Sequence, residues 1–481
     1  MLRPDQHIHF VGVGGFGMSA IARVLLQLGY TVSGSDLRAN ALTRALSAGG
    51  ATIYEGHAAA HVAGADLVVT TSAATADNPE IAAAQARGIP VLRRRDLLGA
   101  LMAGRTGIAI AGTHGKTTTT ALLVHTLRTA GLPPTYIVGG VLGNTGDNAG
   151  VGASDYFVIE ADEYDNMFLG LRPQIAAILN IEHDHPDMFP TRDDVVRAFA
   201  QFADRLDASG LLVVCADDAG AASLAEARRA AGGPVITYAL DAPADWRATD
   251  LEPLASGGTR FTARRAGEPA GTLTLAASGR HNVSNALAAL AIAERLGVPI
   301  ARVADAFASF LGTGRRADVM GQAGGVTVVS DYAHHPTAIR ATLGAFRERP
   351  GVGALWAVWQ PHTFGRMRTL AEDFAGAFGA ADHVLVTEVY SVRETPGPGL
   401  DAAEMAARIA GQGHGGARFT GSFEATLAAL LDGVRPGDWV LILSAGDAPA
   451  IGERLLAALA DRMPAPGAAP DVATTEDDTH G

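Results

Sequence analysis

One stretch constrains the fold of this chain more than any other. An apolar run at 108–111 enters a glycine turn, and a Lys-Thr pair then opens a helical stretch. The turn reads Gly112, Thr113, His114, Gly115, Lys116, Thr117 and Thr118. Glycines let backbone N–H groups face an anion, and a helix N-terminus adds favourable partial charge. A lysine at this place contacts the β- and γ-phosphates, and the next hydroxyl binds magnesium. The stretch therefore predicts a phosphate-binding loop in an α/β sheet.

The lysine count supports this interpretation. Of the 37 lysine and arginine residues, Lys116 is the only lysine. A guanidinium is larger and planar, so a compact ammonium suits a tight phosphate cradle better. The alternative is a chance Gly-Lys-Thr at the start of a helix. Ile110 stands where the usual pattern has its first glycine, which indicates a shortened variant of the loop.

Length and charge narrow the class of protein. For 481 residues about three domains are expected, and we place them at 1–104, 105–311 and 312–462, before a disordered tail at 463–481. The net charge of −13 argues against a nucleic-acid partner. The single cysteine, Cys215, is expected in the core. No signal peptide or long apolar span is visible, so we expect a cytoplasmic monomer or weak homodimer without a membrane partner.

The first unit opens with a dinucleotide-type glycine motif. A strand pattern at 7–11 runs into the segment 12–17, which fits G-x-G-x-x-G. Asp36 ends the next strand, where an acidic side chain typically holds a ribose hydroxyl. Glycines that merely tighten the turn are one alternative, and an NAD dehydrogenase is another. The second nucleotide site downstream favours a nucleotide-linked substrate with a pyrophosphate instead.

Two acidic clusters follow strands of the second unit, at 160–165 and 180–185. The carboxyl ends of parallel strands meet at one edge, where open α/β sheets bind ligands. Carboxylate oxygens suit magnesium, so Glu160 is predicted to be a metal ligand. His185 is a softer ligand, and a structural hydrogen-bonding role is its alternative. Zinc at His183 and His185 is rejected because cysteine partners are missing.

The remainder of the second unit combines a β-rich region with a long helix. Short strands and glycine-rich loops without visible chemistry are expected from Leu211 to about Ala276. An alanine-rich helix follows, and Asn282 is placed to cap it. Alternatively, His281 and Asn285 face an adenine. The spacing of these residues in the sequence, taken alone, favours the capping role of Asn282.

Four apolar runs of the third unit each end in polar residues, and helical patterns separate them. The runs are 326–329, 354–359, 383–386 and 439–443, and their polar ends begin at Ser330, Gln360, Thr387 and Ser444. Such a series predicts a second doubly wound sheet with one functional edge.

Together these motifs resemble the Mur ligases of bacterial cell-wall synthesis, over all three units. The marks are Gly12 to Ser19, Gly112 to Thr118, Glu160 to Asp165, Asn180 to His185, His281-Asn282, Arg315-Arg316 and Asp331 to Pro336. The resemblance implies an α/β fold of three domains: a Rossmann-like UDP-binding domain, a P-loop ATPase-like domain and a Rossmann-like C-terminal domain. It also implies an ATP- and Mg²⁺-dependent amide ligation. UDP-N-acetylmuramate is activated as an acyl phosphate, which the amine of L-alanine then attacks.

The resemblance assigns roles to individual residues. ATP is held by Gly112, Thr113, His114, Gly115, Lys116, Thr117, Thr118, His281, Asn285, Arg316 and Asp331. Magnesium is held by Thr117, Glu160 and His185. The substrates contact Gly12, Gly14, Gly15, Gly17, Met18, Ser19, Asp36, Ser72, Tyr332, His334 and Arg366. The catalytic residues are Lys116, His185, His334 and Arg366.

The single lysine also favours one branch of the family. Relatives that add later residues, and the folylpolyglutamate synthases, carry a carbamylated lysine near the metal, which this chain cannot have. The family pattern is broken at Ala317, Ser330, Thr363 and Ser444. Thr363 replaces an expected anchor of the amino-acid carboxylate, so the preference for alanine over serine or glycine stays open. Two alternatives also stay open: a ligase that recycles a murein tripeptide, and a non-catalytic nucleotide-binding sensor.

Overall fold

A computed structural model describes most of the chain. The described residues are 2–3, 5–71, 73–255, 257–391, 394 and 399–462. Both the expected disordered tail at 463–481 and the expected substrate residue Ser72 lie outside them. No helix within the described residues has the length and apolar character needed to cross a bilayer.

The first unit is a five-stranded parallel sheet. Its strands are β1 (His7–Val11), β2 (Thr31–Asp36), β3 (Thr52–Glu55), β4 (Leu67–Thr70) and β5 (Val91–Arg93). Its helices are α1 (Phe16–Gln27), α2 (Ala41–Ala48), α3 (Pro79–Ala86) and α4 (Arg94–Met102). The strand order is β3-β2-β1-β4-β5, so the order reverses at β1. The glycine loop follows β1 and therefore lies at the switch point, where such sheets bind ligands.

A buried carboxylate, Glu80 on α3, organises the interior of this unit. Ser35 Oγ donates to Glu80 Oε2 at 2.6 Å, and His61 Nδ1 lies 2.7 Å from Oε1. His57 Nδ1 and His9 Nε2 lie 3.1 Å and 3.7 Å from Oε2. Burial opposes ionisation of the carboxyl, but its contacts with these four side chains lower the pKa of Glu80 to about 2. The ionised form thus stabilises the fold.

Replacing Glu80 with glutamine should lower the free energy of unfolding by about 3 kcal/mol at pH 7. The folded pKa lies below the ordinary value of 4.5, so the contribution is present above pH 4.5 and is lost as the pH falls toward 2. Urea unfolding followed by circular dichroism at pH 7, 5 and 3.5 measures the difference between wild type and Glu80→Gln. Glu453→Gln, at an exposed position, is the control. A deficit that is equal at pH 7 and 3.5 would refute this explanation.

The second unit is built on a ten-stranded sheet. Its strands are β6 (Thr106–Ala111), β7 (Thr135–Ile137), β8 (Ala149–Gly150), β9 (Tyr156–Glu160), β10 (Ile175–Ile178), β11 (Leu211–Cys215), β12 (Val235–Ala239), β13 (Trp246–Pro253), β14 (Thr259–Arg265) and β15 (Glu268–Leu275). Its α-helices are α5 (Lys116–Thr129), α6 (Arg192–Ala203), α7 (Ala219–Ala230), α8 (Arg280–Arg295) and α9 (Ile300–Ala308). The order is β15-β14-β13-β12-β11-β10-β6-β9-β7-β8, with β8, β14 and β15 antiparallel to their neighbours.

Helix α8 packs against α5, and its side chains from Ala286 to Ala293 are buried. Five of these eight residues are alanines, whose small side chains favour close packing of helices. A Cβ added to Gly115 would collide with Asn285 Oδ1. The close approach thus brings the N-terminus of α8 against the phosphate loop.

Two expectations for this unit are wrong. The region from Leu211 to Ala276 contains the twelve-residue helix α7, and strands β13 to β15 are seven or eight residues long. In β14, alternate residues such as Phe261 and Ala263 are buried, so the sheet simply extends at this edge. Asn282 does not cap α8, because the helix begins at Arg280 and Asn282 Nδ2 donates to Ser278 O at 2.8 Å. Cys215 is buried, as expected.

The third unit is a six-stranded sheet. Its strands are β16 (Asp318–Ala323), β17 (Val326–Asp331), β18 (Leu355–Trp359), β19 (His383–Thr387), β20 (Ala417–Gly421) and β21 (Trp439–Leu443). Its helices are α10 (Pro336–Arg347), α11 (Phe364–Thr369), α12 (Ala371–Ala375), α13 (Ala402–Gly411), α14 (Phe423–Gly433) and α15 (Pro449–Asp461). The order is β16-β17-β21-β18-β19-β20, and only β16 is antiparallel among these strands. The four apolar runs form neighbouring parallel strands, which confirms the second doubly wound sheet and the α/β fold class.

Candidate functional site

A cavity of about 1750 Å³ lies where the three units meet. The first unit contributes the start of α1, the second contributes the phosphate loop, and the third contributes the ends of β17 and β18. Ordinary small-molecule pockets span about 300–1,000 Å³. The cavity therefore has room for more than one substrate.

The phosphate loop is held in a conformation that needs its two glycines. Gly112 and Gly115 have φ of +146° and +82°, and a Cβ on Gly112 would lie 2.9 Å from Leu179 Cβ. The amide nitrogen of His114 donates to Asn180 Oδ1 at 2.7 Å. The turn joins β6 directly to α5, and Lys116, Thr117 and Thr118 at the start of that helix line the cavity. This is the geometry predicted from the sequence.

Lys116 is already paired inside the loop. Its ammonium donates to Glu163 Oε2 at 2.7 Å and Oε1 at 3.0 Å, and to the carbonyl oxygen of Gly112 at 2.6 Å. Burial disfavours the charged form, but the carboxylates of Glu163 and Asp162 outweigh it and raise the pKa of Lys116. The ammonium is therefore charged and rests on a carboxylate. An incoming phosphate is negatively charged like Glu163, and it offers the ammonium a stronger partner.

A hydroxyl and a carboxylate converge beside the lysine. Thr117 Oγ1 donates to Glu160 Oε1 at 3.0 Å, and the N–H of Gly139 donates to Oε2 at 2.6 Å. Arg316 Nη2 lies 3.4 Å from the same threonine hydroxyl. Hard oxygen ligands of this kind, completed by waters and phosphate oxygens, are what Mg²⁺ prefers. The donor set of Thr117 and Glu160 thus fits magnesium.

Arg366 lies at the centre of a second cluster. Its side chain is 4% exposed, and Nε donates to Asp184 Oδ1 at 2.6 Å. Nη1 donates to His362 Nδ1 at 2.8 Å, and Nη2 lies 3.4 Å from His185 Nδ1. Burial opposes ionisation of Asp184, but the charge of Arg366 lowers its pKa well below the ordinary value. The guanidinium predicted to bind a substrate carboxylate is therefore already matched by a protein carboxylate.

His185 lies in this second cluster and contacts Arg366. If His185 Nδ1 accepts from Arg366, the ring carries its proton on Nε2, which lies 3.9 Å from Glu163 Oε1. A protonated nitrogen is not a metal ligand, so His185 has to leave Arg366 or change tautomer to bind magnesium. The structural role left open for His185 fits these contacts, and its metal role stays a prediction.

The predicted amino-acid residues lie together. His334 Nε2 is 3.9 Å from Asp184 Oδ2, and the ring of His334 packs edge-on against Tyr332. Burial and the charge of Arg366 lower the pKa of His334 well below its ordinary value, so its imidazole is neutral. Thr363 has a φ of +64°, which is strained for a β-branched residue. The neutral imidazole of His334 thus lies beside the buried ion pair of Arg366 and Asp184.

The other end of the cavity suits a base. His281 and Asn285 line it, and burial lowers the pKa of His281 to about 4, which keeps the ring neutral for stacking. Asp331 Oδ2 accepts a hydrogen bond from the N–H of Ala317 at 2.7 Å, and Asp331 Oδ1 accepts one from the N–H of Ala333 at 2.8 Å. These bonds give the Asp331 carboxylate a structural role, and its contact with a ribose stays a prediction.

The first unit reaches the cavity at α1 and α4, and only the end of its glycine motif takes part. Gly17 lines the cavity, whereas the other residues predicted there do not, namely Gly12, Gly14, Gly15, Met18, Ser19 and Asp36. Asp36 Oδ2 accepts the N–H of Gly14 at 2.8 Å, and this bond orders the turn. The side chains of Met18 and Ser19 are buried in α1. A uridine site at this motif would therefore extend beyond the cavity.

Several residues of the site were not singled out from the sequence. They are Arg94, Asp162, Glu163, Glu182, Asp184, Thr337 and His362. Four belong to the acidic clusters after β9 and β10, and that pattern indicated their neighbourhood. Within the described residues one triple, His114, Glu182 and His335, brings three possible metal-ligand atoms within 4.8 Å of one another. Sequence reasoning had assigned only His114.

Comparison with known proteins agrees with this arrangement. Three family models match in succession: the Mur ligase family, catalytic domain, at 7–106; the Mur ligase middle domain at 110–293; and the Mur ligase, glutamate ligase domain, at 315–446. A UDP-N-acetylmuramate–L-alanine ligase from Anaeromyxobacter sp. (strain Fw109-5) is 45% identical over 460 residues, which are 95% of this chain and 98% of the relative.

Solved structures show the same architecture. The UDP-N-acetylmuramate-alanine ligase MurC of Thermotoga maritima superposes with a TM-score of 0.78 at 28% identity, over 94% of this chain and 99% of that one. A murein peptide ligase of Psychrobacter arcticus 273-4 gives 0.69 at 28% identity, over 96% and 100%. Sequence, fold and site geometry agree with the resemblance found in the motifs, and the chain belongs to the Mur ligase family.

Proposed function

We propose that this chain joins L-alanine to the carboxyl group of UDP-N-acetylmuramate, driven by ATP, in the synthesis of peptidoglycan precursors. The relative that is 45% identical over 95% of the chain bears the name of that activity. The observation that carries the proposal is the shared cavity. Its lining contains both the charged Lys116 of the phosphate loop and the buried Arg366, which contacts His362.

The phosphate side of the cavity activates the substrate. Lys116 leaves Glu163 to hold the β- and γ-phosphates, and Arg316 adds a second positive charge. Thr117 and Glu160 hold magnesium, which when bound neutralises charge on the phosphoryl oxygens. His281 and Asn285 receive the adenine. The muramate carboxylate then attacks the γ-phosphorus, and an acyl phosphate forms with loss of ADP. The residues act by positioning and by charge, without a protein nucleophile.

The opposite side of the cavity presents the amine. Arg366, His334 and Tyr332 shape the amino-acid pocket, and the neutral ring of His334 can accept a hydrogen bond from the ammonium of alanine. Because Asp184 holds Arg366, the guanidinium keeps one orientation, and the alanine carboxylate binds it by replacing the contacts of Arg366 with His362 and His185. The ammonium gives one proton to water, and the free amine attacks the acyl carbonyl. As the tetrahedral intermediate collapses, the nitrogen loses a second proton to the departing phosphate. The role of Asp331 at the ATP ribose is part of the same proposal.

Mass spectrometry of the product tests the proposal. The enzyme is incubated with UDP-N-acetylmuramate, ATP, Mg²⁺ and a mixture of L-alanine, L-serine, glycine and the murein tripeptide. We expect the alanine adduct, with one phosphate released per amide formed. Serine or glycine adducts at comparable rates would show that Thr363 relaxes selection. An adduct with the tripeptide alone would assign the recycling reaction, and the absence of any adduct would leave only nucleotide binding.

A further inference from the structure

One carboxylate joins the phosphate loop to the third unit. Glu182 Oε2 accepts a hydrogen bond from His114 Nε2 at 3.2 Å and another from Thr337 Oγ1 at 2.6 Å. The main-chain N–H of Glu182 also donates to Thr113 Oγ1 at 2.9 Å. His114 and Thr113 belong to the loop, whereas Thr337 lies in the first turn of α10. A single residue thus contacts both walls of the cavity.

His335 packs into the same contact. Its ring centroid lies 4.6 Å from that of His114, and its Nδ1 lies 3.5 Å from Glu182 Oε2. The same Nδ1 accepts the N–H of Thr337 at 3.3 Å and so caps α10. Hydrogen bonds therefore already occupy the histidine nitrogen and the carboxylate oxygen that a metal ion would need. His114, Glu182, His335 and Thr337 therefore form a hydrogen-bonded contact between the second and third units, which we call the tie.

The acceptor at the centre of the tie, Glu182, is ionised near neutral pH. Burial opposes ionisation of Glu182, but the hydrogen bond and charge of His114 and the hydroxyl of Thr337 lower its pKa to about 2. Burial lowers the pKa of His335 to about 4, so this imidazole is neutral. The acceptor is therefore a full carboxylate, and hydrogen bonds to a charged acceptor are stronger than neutral ones.

The tie links the phosphate loop to the segment that carries the predicted amino-acid residues. Helix α10 begins directly after the segment that carries Tyr332 and His334, so a shift of its first turn moves both side chains. Two residues beyond Glu182, Asp184 holds Arg366. Amide formation requires the reacting atoms to approach within about 3–3.5 Å, and a misplacement of about 1 Å can cost about 100-fold in rate. The rate of amide formation therefore depends on how the phosphate loop and the amino-acid pocket are positioned relative to each other.

We propose that Glu182 is a positioning residue, which sets the amino-acid pocket against the phosphate loop without itself contacting a substrate. The inference deepens the proposed ligase function and rests on it. It assigns Thr337 as the partner on the third unit and His114 as the partner on the loop. Loss of the Thr337 contact keeps the hydrogen bonds between Glu182 and the loop but removes their anchor on the third unit. The ATP-binding groups thus stay in place while the loop becomes more mobile, and this difference separates positioning from ATP binding.

Steady-state kinetics of Thr337→Val, Thr337→Ser, Glu182→Gln and the double variant Glu182→Gln/Thr337→Val test the tie. Thr337→Val should lower kcat about tenfold, the value of one hydrogen bond to a charged group, and should change the KM for ATP by less than about twofold. Thr337→Ser should restore kcat. The double variant should be no slower than the slower single variant, because both changes break one contact. Thr52→Val, at an exposed position of β3, is the matched control.

Hydrogen exchange supplies a readout that does not depend on catalysis. The peptide covering Gly112 to Lys116 should exchange about threefold faster or more in Thr337→Val than in wild type, although the substitution lies in another unit. Thr337→Ser and Thr52→Val should leave it unchanged. Unchanged loop exchange in Thr337→Val, or multiplicative losses of kcat in the double variant, would overturn the tie. A wild-type enzyme without ligation would instead overturn the proposed function, and the exchange result would still decide the tie.

Discussion

Replacing Lys116 with arginine should lower kcat by about 10²–10³-fold or more and leave the protein folded. The guanidinium is too large and planar for the space between Gly112, Glu163 and the phosphates, yet it keeps the charge that Glu163 requires. Phosphate release with UDP-N-acetylmuramate, ATP and L-alanine measures the loss. Circular dichroism and thermal unfolding verify the fold.

Two further variants separate the role of Lys116 in phosphate binding from its role in stability. Arg197→Lys, on an exposed face of α6, exchanges the same two side chains away from the cavity and should keep wild-type turnover. Lys116→Ala should lose turnover and stability together, because it leaves the buried carboxylate of Glu163 without its cation. Near-normal turnover by Lys116→Arg would show that the lysine does not hold the phosphates.

Replacing Asp184 with asparagine should cost about 3–5 kcal/mol of unfolding free energy, because it leaves the buried guanidinium of Arg366 without a counter-charge. Arg366→Met should cost a similar amount, because it leaves Asp184 unpaired. The double variant should recover most of either loss. Urea unfolding of the four proteins gives the double-mutant cycle, and the KM for L-alanine should rise in every variant.

A surface ion pair supplies the control for this cycle. Arg454 and Glu424 lie 3.0 Å apart at an exposed position of the third unit, so Arg454→Met should cost less than about 1 kcal/mol. If Asp184→Asn were equally mild, or if the losses in the double variant were additive, the buried pair would not hold the pocket together.

Most helices and strands, and the sheet edges that carry polar residues, could be predicted from the sequence, because they depend on local patterns. The apolar runs around Ile108, Val158 and Leu441 became buried parallel strands, and polar residues followed them at one edge. The lone lysine at a helix start was found in the predicted loop. Helix α7 was not predicted because its alanine-rich sequence lacks a strong apolar stripe. The lengths of β13 to β15 were not predicted either, although apolar and polar residues alternate in β14.

Contacts between residues that are distant in the sequence could not be predicted from one chain. Glu163 is 47 residues from Lys116, and Glu182 is 155 residues from Thr337. Nothing local tells which carboxylate of an acidic cluster turns toward which cation, since this depends on how two sheets pack. The pairing of Arg366 with Asp184 changes the predicted role of that arginine from a free anchor to an oriented one. Conversely, no local pattern showed that the side chains of Met18 and Ser19 turn into the core.

A crystal structure with a non-hydrolysable ATP analogue and Mg²⁺ tests the central claim most directly. We expect the ammonium of Lys116 to have left Glu163 and to lie about 2.8–3.0 Å from a β- or γ-phosphate oxygen, with Thr117 and Glu160 at the metal. A triphosphate bound elsewhere in the cavity, with Lys116 still paired to Glu163, would contradict the account.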